Sequence, residues 1–214
     1  MPDLPRPKSL TDFVADQLRQ DIVDGVYDFG QNLSEVAIAK RLSVSRTPVR
    51  EAFSRLENER LVRSEPQRGT FVFSMTREEL AAICDVRVML EAGALRLGIE
   101  TNRARLEKTL TQCLVKMDRA QERGDGKAYL RLDQNFHQAL IECAQNPFLT
   151  ETYQAVGPRM AAVRNNLGTT ADLMRSTYAE HRAIATHIGK GEADAAVDVL
   201  TIHIGRREGS FWNR

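Results

Sequence analysis

The chain has four histidines, His137, His181, His187 and His203, all in its C-terminal half. Three of them fall on apolar helical faces. Asp133 and His137, four residues apart, share a face with Leu130, Leu140 and Ile141. His181 precedes Ile184, Ala185 and Ile188, and His203 follows Ala196, Val199 and Leu200, at helical spacings. His187 stands about 240° around its helix from His181, at ~100° per residue, and so faces away. A single histidine on an apolar face reads as a core residue with a satisfied partner. Three with a carboxylate make four inward polar groups, and one shared divalent cation satisfies all of them. The nitrogen and oxygen donors of Asp133, His137, His181 and His203 suit zinc first, then nickel or manganese, and no cysteine joins them to favour thiolate metals. Three uses are open to such a cluster: a site completed by an external ligand, a structural clamp on three helices, or a hydrolase centre that activates water. No separate general base stands at suggestive spacing, which counts against the hydrolase.

Arg87 brings a charge into a stripe of Leu80, Ile83, Cys84, Leu90 and Ala94, with Glu91 one turn on. It reads either as an i,i+4 ion pair with Glu91 or as a fork awaiting a ligand carboxylate, in which case a small organic or sugar acid could bridge Arg87 and the metal. Arg164, among apolar neighbours, is a second effector-binding candidate.

Charge is segregated in the N-terminal third, although the formal net charge of the whole is only +1. Residues 9–39 carry one basic residue, Arg19, against six acidic ones; residues 40–68 carry eight basic residues against four acidic ones. A locally basic segment in a neutral chain is the footprint of a phosphate-contacting surface. Within it Arg46, Arg50 and Ser54 recur every four residues, with Thr47 beside them, opposite an apolar face of Val49, Ala52, Phe53 and Leu56. Arginines with small hydroxyls on a short helix can read a major groove, and Arg68-Gly69 at a hairpin tip can reach a minor groove or its phosphates.

The elements that must carry these residues are mainly α-helical. Residues 1–8, with three prolines, read as a disordered arm. A first helix from Ser9 to Val23 ends at Gly25, Ser34 caps a short second helix to Leu42, and Ser45 caps a third with Pro48 in its first turn. Leu61 to Phe73 reads as a β-hairpin turning at Pro66-Gln67-Arg68-Gly69. Residues 9–75 therefore form a winged helix-turn-helix. From Thr76, whose capping box with Glu79 opens a new helical programme, residues 76–214 read as an antiparallel bundle of about six helices at 77–100, 103–123, 127–144, 147–167, 171–190 and 192–208. Cys84, Cys113 and Cys143 are widely spaced and read as reduced core residues. With no basic-then-apolar leader and no ~20-residue apolar run, the expectation is a soluble, cytoplasmic protein without a membrane partner.

The string Leu33-Ser34-Glu35-Val36-Ala37-Ile38-Ala39-Lys40-Arg41-Leu42-Ser43-Val44-Ser45-Arg46-Thr47-Pro48-Val49-Arg50-Glu51-Ala52, with Leu56-Glu57 and Arg68-Gly69-Thr70, closely resembles the GntR family of transcription regulators. The resemblance implies DNA contacts at Ser45, Arg46, Thr47 and Arg50, with Gly69 at the wing. Some relatives carry an arginine where this chain has Val36, so that contact is absent. The order Asp133-x3-His137, His181, His203, with Asn146-Pro147 and Glu180-His181-Arg182, resembles the metal-binding FCD domain of the FadR-like branch, and a six-helix count implies its VanR-like subgroup. Together these imply a repressor or activator that reads a palindromic operator as a homodimer, under control of a small carboxylate bound near a divalent metal.

Overall fold

In the computed structural model the described residues are 9–205, apart from the side chain of Leu167. The arm at 1–8 and the end of the last helix beyond 205 lie outside them. The chain divides into two compact units, Met1–Ser74 and Met75–Arg214.

The first unit contains α1 (Leu10–Val23), β1 (Asn32–Leu33), α2 (Glu35–Leu42), α3 (Arg46–Asn58), β2 (Val62–Glu65) and β3 (Gly69–Val72). Ser9 and Asp12 cap α1 reciprocally, and Ser34 Oγ accepts from Ala37 N at the start of α2. The turn into α3 passes through Ser43 in the left-handed region. Val14, Leu18 and Ile22 of α1 close over Val49, Ala52 and Leu56 of α3, all buried. Ion pairs tie the same two helices together, Arg19 to Glu59 at 2.7 Å and Arg55 to Asp12. The wing is a three-stranded antiparallel sheet of order β1-β3-β2 rather than a bare hairpin. β1 escapes a sequence reading because two residues carry no alternation.

The second unit contains α4 (Arg77–Glu122), α5 (Gly126–Cys143), α6 (Pro147–Gln154), α7 (Gly157–Leu167), α8 (Ala171–Lys190) and α9 (Ala193–Gly205). It has six helices among the described residues, but they are partitioned differently from the expectation. The two helices expected at 77–100 and 103–123 form one, kinked where Asn102 alone leaves helical geometry. The single helix expected at 147–167 is two. Pro158 has no N–H for the carbonyl of Gln154 and its ring would strike that carbonyl, so α6 stops at Gln154. The core is built from Leu95, Leu106, Leu110 and Met117 of α4, Phe136 and Leu140 of α5, Ile184 and Ile188 of α8 and Leu200 of α9.

Candidate functional site

The first unit exposes Ser45, Arg46, Thr47, Arg50 and Ser54 on one side of α3, and Arg68 and Gly69 at the wing tip. Ser45 occupies the N-cap position of α3, but its side chain makes no capping hydrogen bond. That departs from the capping role expected of it and leaves the hydroxyl available. Arg46 and Arg50 share one carboxylate. Arg46 donates to Glu35 Oε2 through Nη2 at 2.8 Å and Nε at 3.2 Å, and Arg50 Nε lies 2.9 Å from both Glu35 oxygens. At the wing Glu65 takes Arg68 at 2.5 Å and Arg63 at 3.2 Å. The basic segment is therefore less free than its composition implies, since Arg41 and Arg55 are also paired, with Asp21 and Asp12.

Gly69 has φ +111°, and a Cβ there would lie 2.9 Å from Asn32 Nδ2. Asn32, on β1, donates to the Arg68 carbonyl at 3.2 Å and so braces the tip.

In the second unit, Asp133 and His137 of α5, His181 of α8 and His203 of α9 each offer a ligand atom within 4.8 Å of the others. The bundle brings them together because each lies on the inward stripe of its helix. Asp133, His137 and His181 are at most 4% exposed, and the His203 side chain is 7% exposed. His187, on α8, instead pairs with Glu192 at 2.7 Å.

The geometry suits a cation. His137 Nδ1 lies 2.7 Å from Glu91 Oε2, and His203 Nδ1 lies 2.8 Å from Glu180 Oε2. If each Nδ1–H donates to its carboxylate, both Nε2 atoms present lone pairs, and these face each other at 3.1 Å. His181 Nε2 lies 3.4 Å from Asp133 Oδ1, and neither of its ring nitrogens has a hydrogen-bond partner among the described residues. Two ligands at about 2.1 Å from a common ion stand about 3.0–3.4 Å apart, which matches these separations. Protonation is a poor alternative. Burial pushes His137 and His203 down to about 4 against the opposing pull of Glu91 and Asp133, and burial with the neighbouring His203 pushes His181 well below its ordinary value. Burial alone would raise Asp133, but the Arg164 guanidinium beside it holds its carboxyl well below the usual range.

Around this cluster lies a buried polar ring. Glu91 of α4, 0% exposed, accepts from Arg87 Nε at 2.8 Å and from Tyr153 Oη at 2.7 Å as well as meeting His137. The i,i+4 reading of Arg87 is thus realised, yet its Nη2 is left without a partner. Arg164 Nη1 lies 3.1 Å from Asp133 Oδ2 as an ion pair without hydrogen-bond alignment, and its Nε is likewise unpartnered. Sequence reasoning missed Glu91 and Glu180 as orienting carboxylates, and Tyr153 altogether. The signal for Glu91 was present, one turn from Arg87 on an apolar face; Tyr153 lies on α6 and gave none.

Comparison with known proteins follows the same division. Residues 10–72 match the family described as bacterial regulatory proteins, gntR family, and residues 82–206 match the FCD domain. The chain is 29% identical to the uncharacterized HTH-type transcriptional regulator YdhC of Bacillus subtilis, over 94% of this chain and 89% of that one. It is 28% identical to the HTH-type transcriptional repressor RspR of Escherichia coli, over 91% and 90%. It is 33% identical to the gluconate operon transcriptional repressor of Bacillus subtilis, over 69% of this chain and 60% of that one. Among solved structures, a GntR regulator from Rhodococcus sp. RHA1 superposes with a TM-score of 0.82 at 26% identity, covering 93% of this chain and 95% of that one.

Proposed function

Since the chain belongs to the GntR family of bacterial regulatory proteins, with an FCD domain behind its DNA-binding domain, we propose that it is a homodimeric repressor whose operator affinity is set by a small carboxylate bound beside a divalent metal. Membership makes it a transcription regulator and not an enzyme, which sets aside the hydrolase reading. The names of the gluconate operon and RspR relatives support repression.

On this reading Asp133, His137, His181 and His203 hold the ion, zinc in the first instance. Glu91 and Glu180 fix the ring orientation of His137 and His203, the outer carboxylate arrangement that raises ligand basicity. When bound, a divalent cation supplies a Lewis-acid position that a carboxylate oxygen can occupy. The observation that carries the effector is the pair of buried guanidinium N–H groups, Arg87 Nη2 and Arg164 Nε, that end without partners beside the cluster. A buried unpaired donor is costly, and an incoming carboxylate relieves both. In the first unit, Ser45, Arg46, Thr47, Arg50 and Ser54 enter the major groove, and Arg68 and Gly69 follow at the wing.

To regulate, the effector must bind the DNA-competent and incompetent arrangements unequally; a difference of ~1–3 kcal/mol changes operator affinity roughly 5- to 150-fold. The test is a panel of organic and sugar acids screened by thermal shift on metal-loaded wild type, metal-free protein and Arg87→Lys, which keeps the charge but removes Nη2. A hit is expected to stabilise the first most and to change operator affinity. Equal stabilisation of all three forms rejects the site, and binding without any change in operator affinity rejects the sensor role.

A further inference from the structure

The two arginines at the centre of the recognition helix are both held by one carboxylate, Glu35, the first residue of α2. The manner of holding is informative. Arg50 engages Glu35 only through Nε, at 2.9 Å, so neither of its two terminal nitrogens is used in the pair. Arg46 uses Nε and Nη2, so its Nη1 is not used in the pair. Glu35 sits in the first turn of its helix, where the dipole favours a carboxylate, and hydrogen bonds from Arg50 and Arg46 lower its pKa below the ordinary value, so it is charged at neutral pH. The side chains of Arg46 and Arg50 remain 55% and 60% exposed, so the pairs are solvent-screened and exchangeable rather than stabilising.

We propose that Glu35 is a specificity-determining residue of the DNA-reading surface: it aims the free edges of Arg46 and Arg50 at base edges and competes with phosphate for them. A guanine edge needs two parallel donors in one place, and the anchored Arg50 supplies them without leaving Glu35. A phosphate elsewhere can be reached only by swinging the side chain off the carboxylate, and it is also repelled by Glu35 itself. Random-sequence DNA, which is bound through phosphates, therefore loses more to Glu35 than an operator does. Specificity arises from a cost placed on the wrong partner as well as from contacts to the right one. The wing repeats the arrangement, with Glu65 shared by Arg63 and Arg68.

This inference rests on the assignment of α3 as the recognition helix, so the experiment tests both. An operator duplex selected from a random library by the wild-type protein, and a scrambled duplex of the same composition, are titrated by fluorescence anisotropy from about 50 to 200 mM salt. Glu35→Gln is expected to bind scrambled DNA roughly 3- to 10-fold tighter, with no gain on the operator and a steeper salt dependence on scrambled DNA. Glu35→Asp, which restores the charge, is expected to recover part of the lost discrimination. A thermal melt confirms that both variants are folded. Equal changes in the two affinities, or an unchanged ratio, overturn the proposal, because a merely structural role moves both together. If Arg46→Ala and Arg50→Ala leave operator affinity intact, the recognition-helix assignment falls and this inference with it. If they weaken it while Glu35→Gln keeps the ratio, only the role of Glu35 falls.

Discussion

Arg50 lies 2.9 Å from Glu35 with side chains 60% and 26% exposed, and Arg87 lies 2.8 Å from Glu91 with side chains 3% and 0% exposed. The bond lengths are nearly the same, and burial separates them. The exposed pair lies in high dielectric and can trade its carboxylate for another anion at a cost of about 1 kcal/mol, enough to bias the choice of partner but not to prevent it. The buried pair cannot trade, because either partner alone is an uncompensated charge. The first unit therefore keeps Arg46 and Arg50 exchangeable, as a surface that meets a polyanion requires. The second locks its charges into a ring and, among the described residues, leaves Arg87 Nη2, Arg164 Nε, Asp133 Oδ2 and the His181 ring nitrogens around it without hydrogen-bond partners.

The largest effect expected from that contrast is on Glu91. Glu91→Ala strands Arg87 and removes the partners of His137 and Tyr153, so urea denaturation should show a loss of roughly 3–5 kcal/mol. Glu35→Ala should stay within about 0.5 kcal/mol. Similar losses in the two variants would mean that burial is not what distinguishes the pairs. Next comes the metal. Purified protein should carry about one divalent ion per chain. Stripping it should lower stability by up to ~4 kcal/mol if the ion is present at a thousandfold its dissociation constant. His203→Ala should lose the ion, whereas His187→Ala, whose ring pairs with Glu192, should keep it; elemental analysis distinguishes them.

The metal-free protein should also be acid-sensitive in a defined direction. His137 and His203 are held down to about 4 in the folded chain and titrate near about 6.5 unfolded, so the unfolded state binds more protons between those values. Their contribution is complete above about pH 6.5 and is lost as pH falls toward 4. A Tm that stays flat across that window in the presence of chelator would contradict the buried, neutral imidazoles.

What could be read from the sequence differed between the units for physical reasons. The exposed stripe of α3 was legible because Arg46, Arg50 and Ser54 depend only on the 3.6-residue period of one helix. The inward phase of His137, His181 and His203 was legible in the same way, helix by helix. The carboxylates that hold these residues were harder to read, because Glu35 reaches across a turn to another helix and Glu91 meets His137 from 46 residues away. The wing's third strand and the break before Pro158 were missed for a third reason. One is too short to show a pattern, and the other depends on a single missing N–H within an otherwise regular stretch.

A smaller effect is expected at the exposed surface. Arg46→Ala and Arg50→Ala should each weaken operator binding by roughly 1–3 kcal/mol without changing the melting temperature. Ser45→Ala sharpens the point. Replacing a capping serine usually costs about 1 kcal/mol of stability, but Ser45 makes no capping hydrogen bond, so only DNA affinity should fall. A drop in stability with DNA binding unchanged would return Ser45 to a structural role.

The smallest expected effect is at the wing, where the first unit does depend on a fixed backbone. Gly69 combines φ +111° with a close approach to Asn32, so Gly69→Ala strains the chain and pushes on the side chain that braces Arg68. We expect a loss of about 1 kcal/mol in stability and a fall in operator affinity smaller than that of Arg50→Ala. The two causes can be separated. Asn32→Ala removes the steric contact but not the dihedral, so the double variant should recover little if the backbone dominates, which the positive φ predicts. Full recovery in the double variant would show that Gly69 is required only by its neighbour. The wing tip would then be as adaptable as the arginines it carries, and the first unit would lack any counterpart to the rigid ring around Glu91.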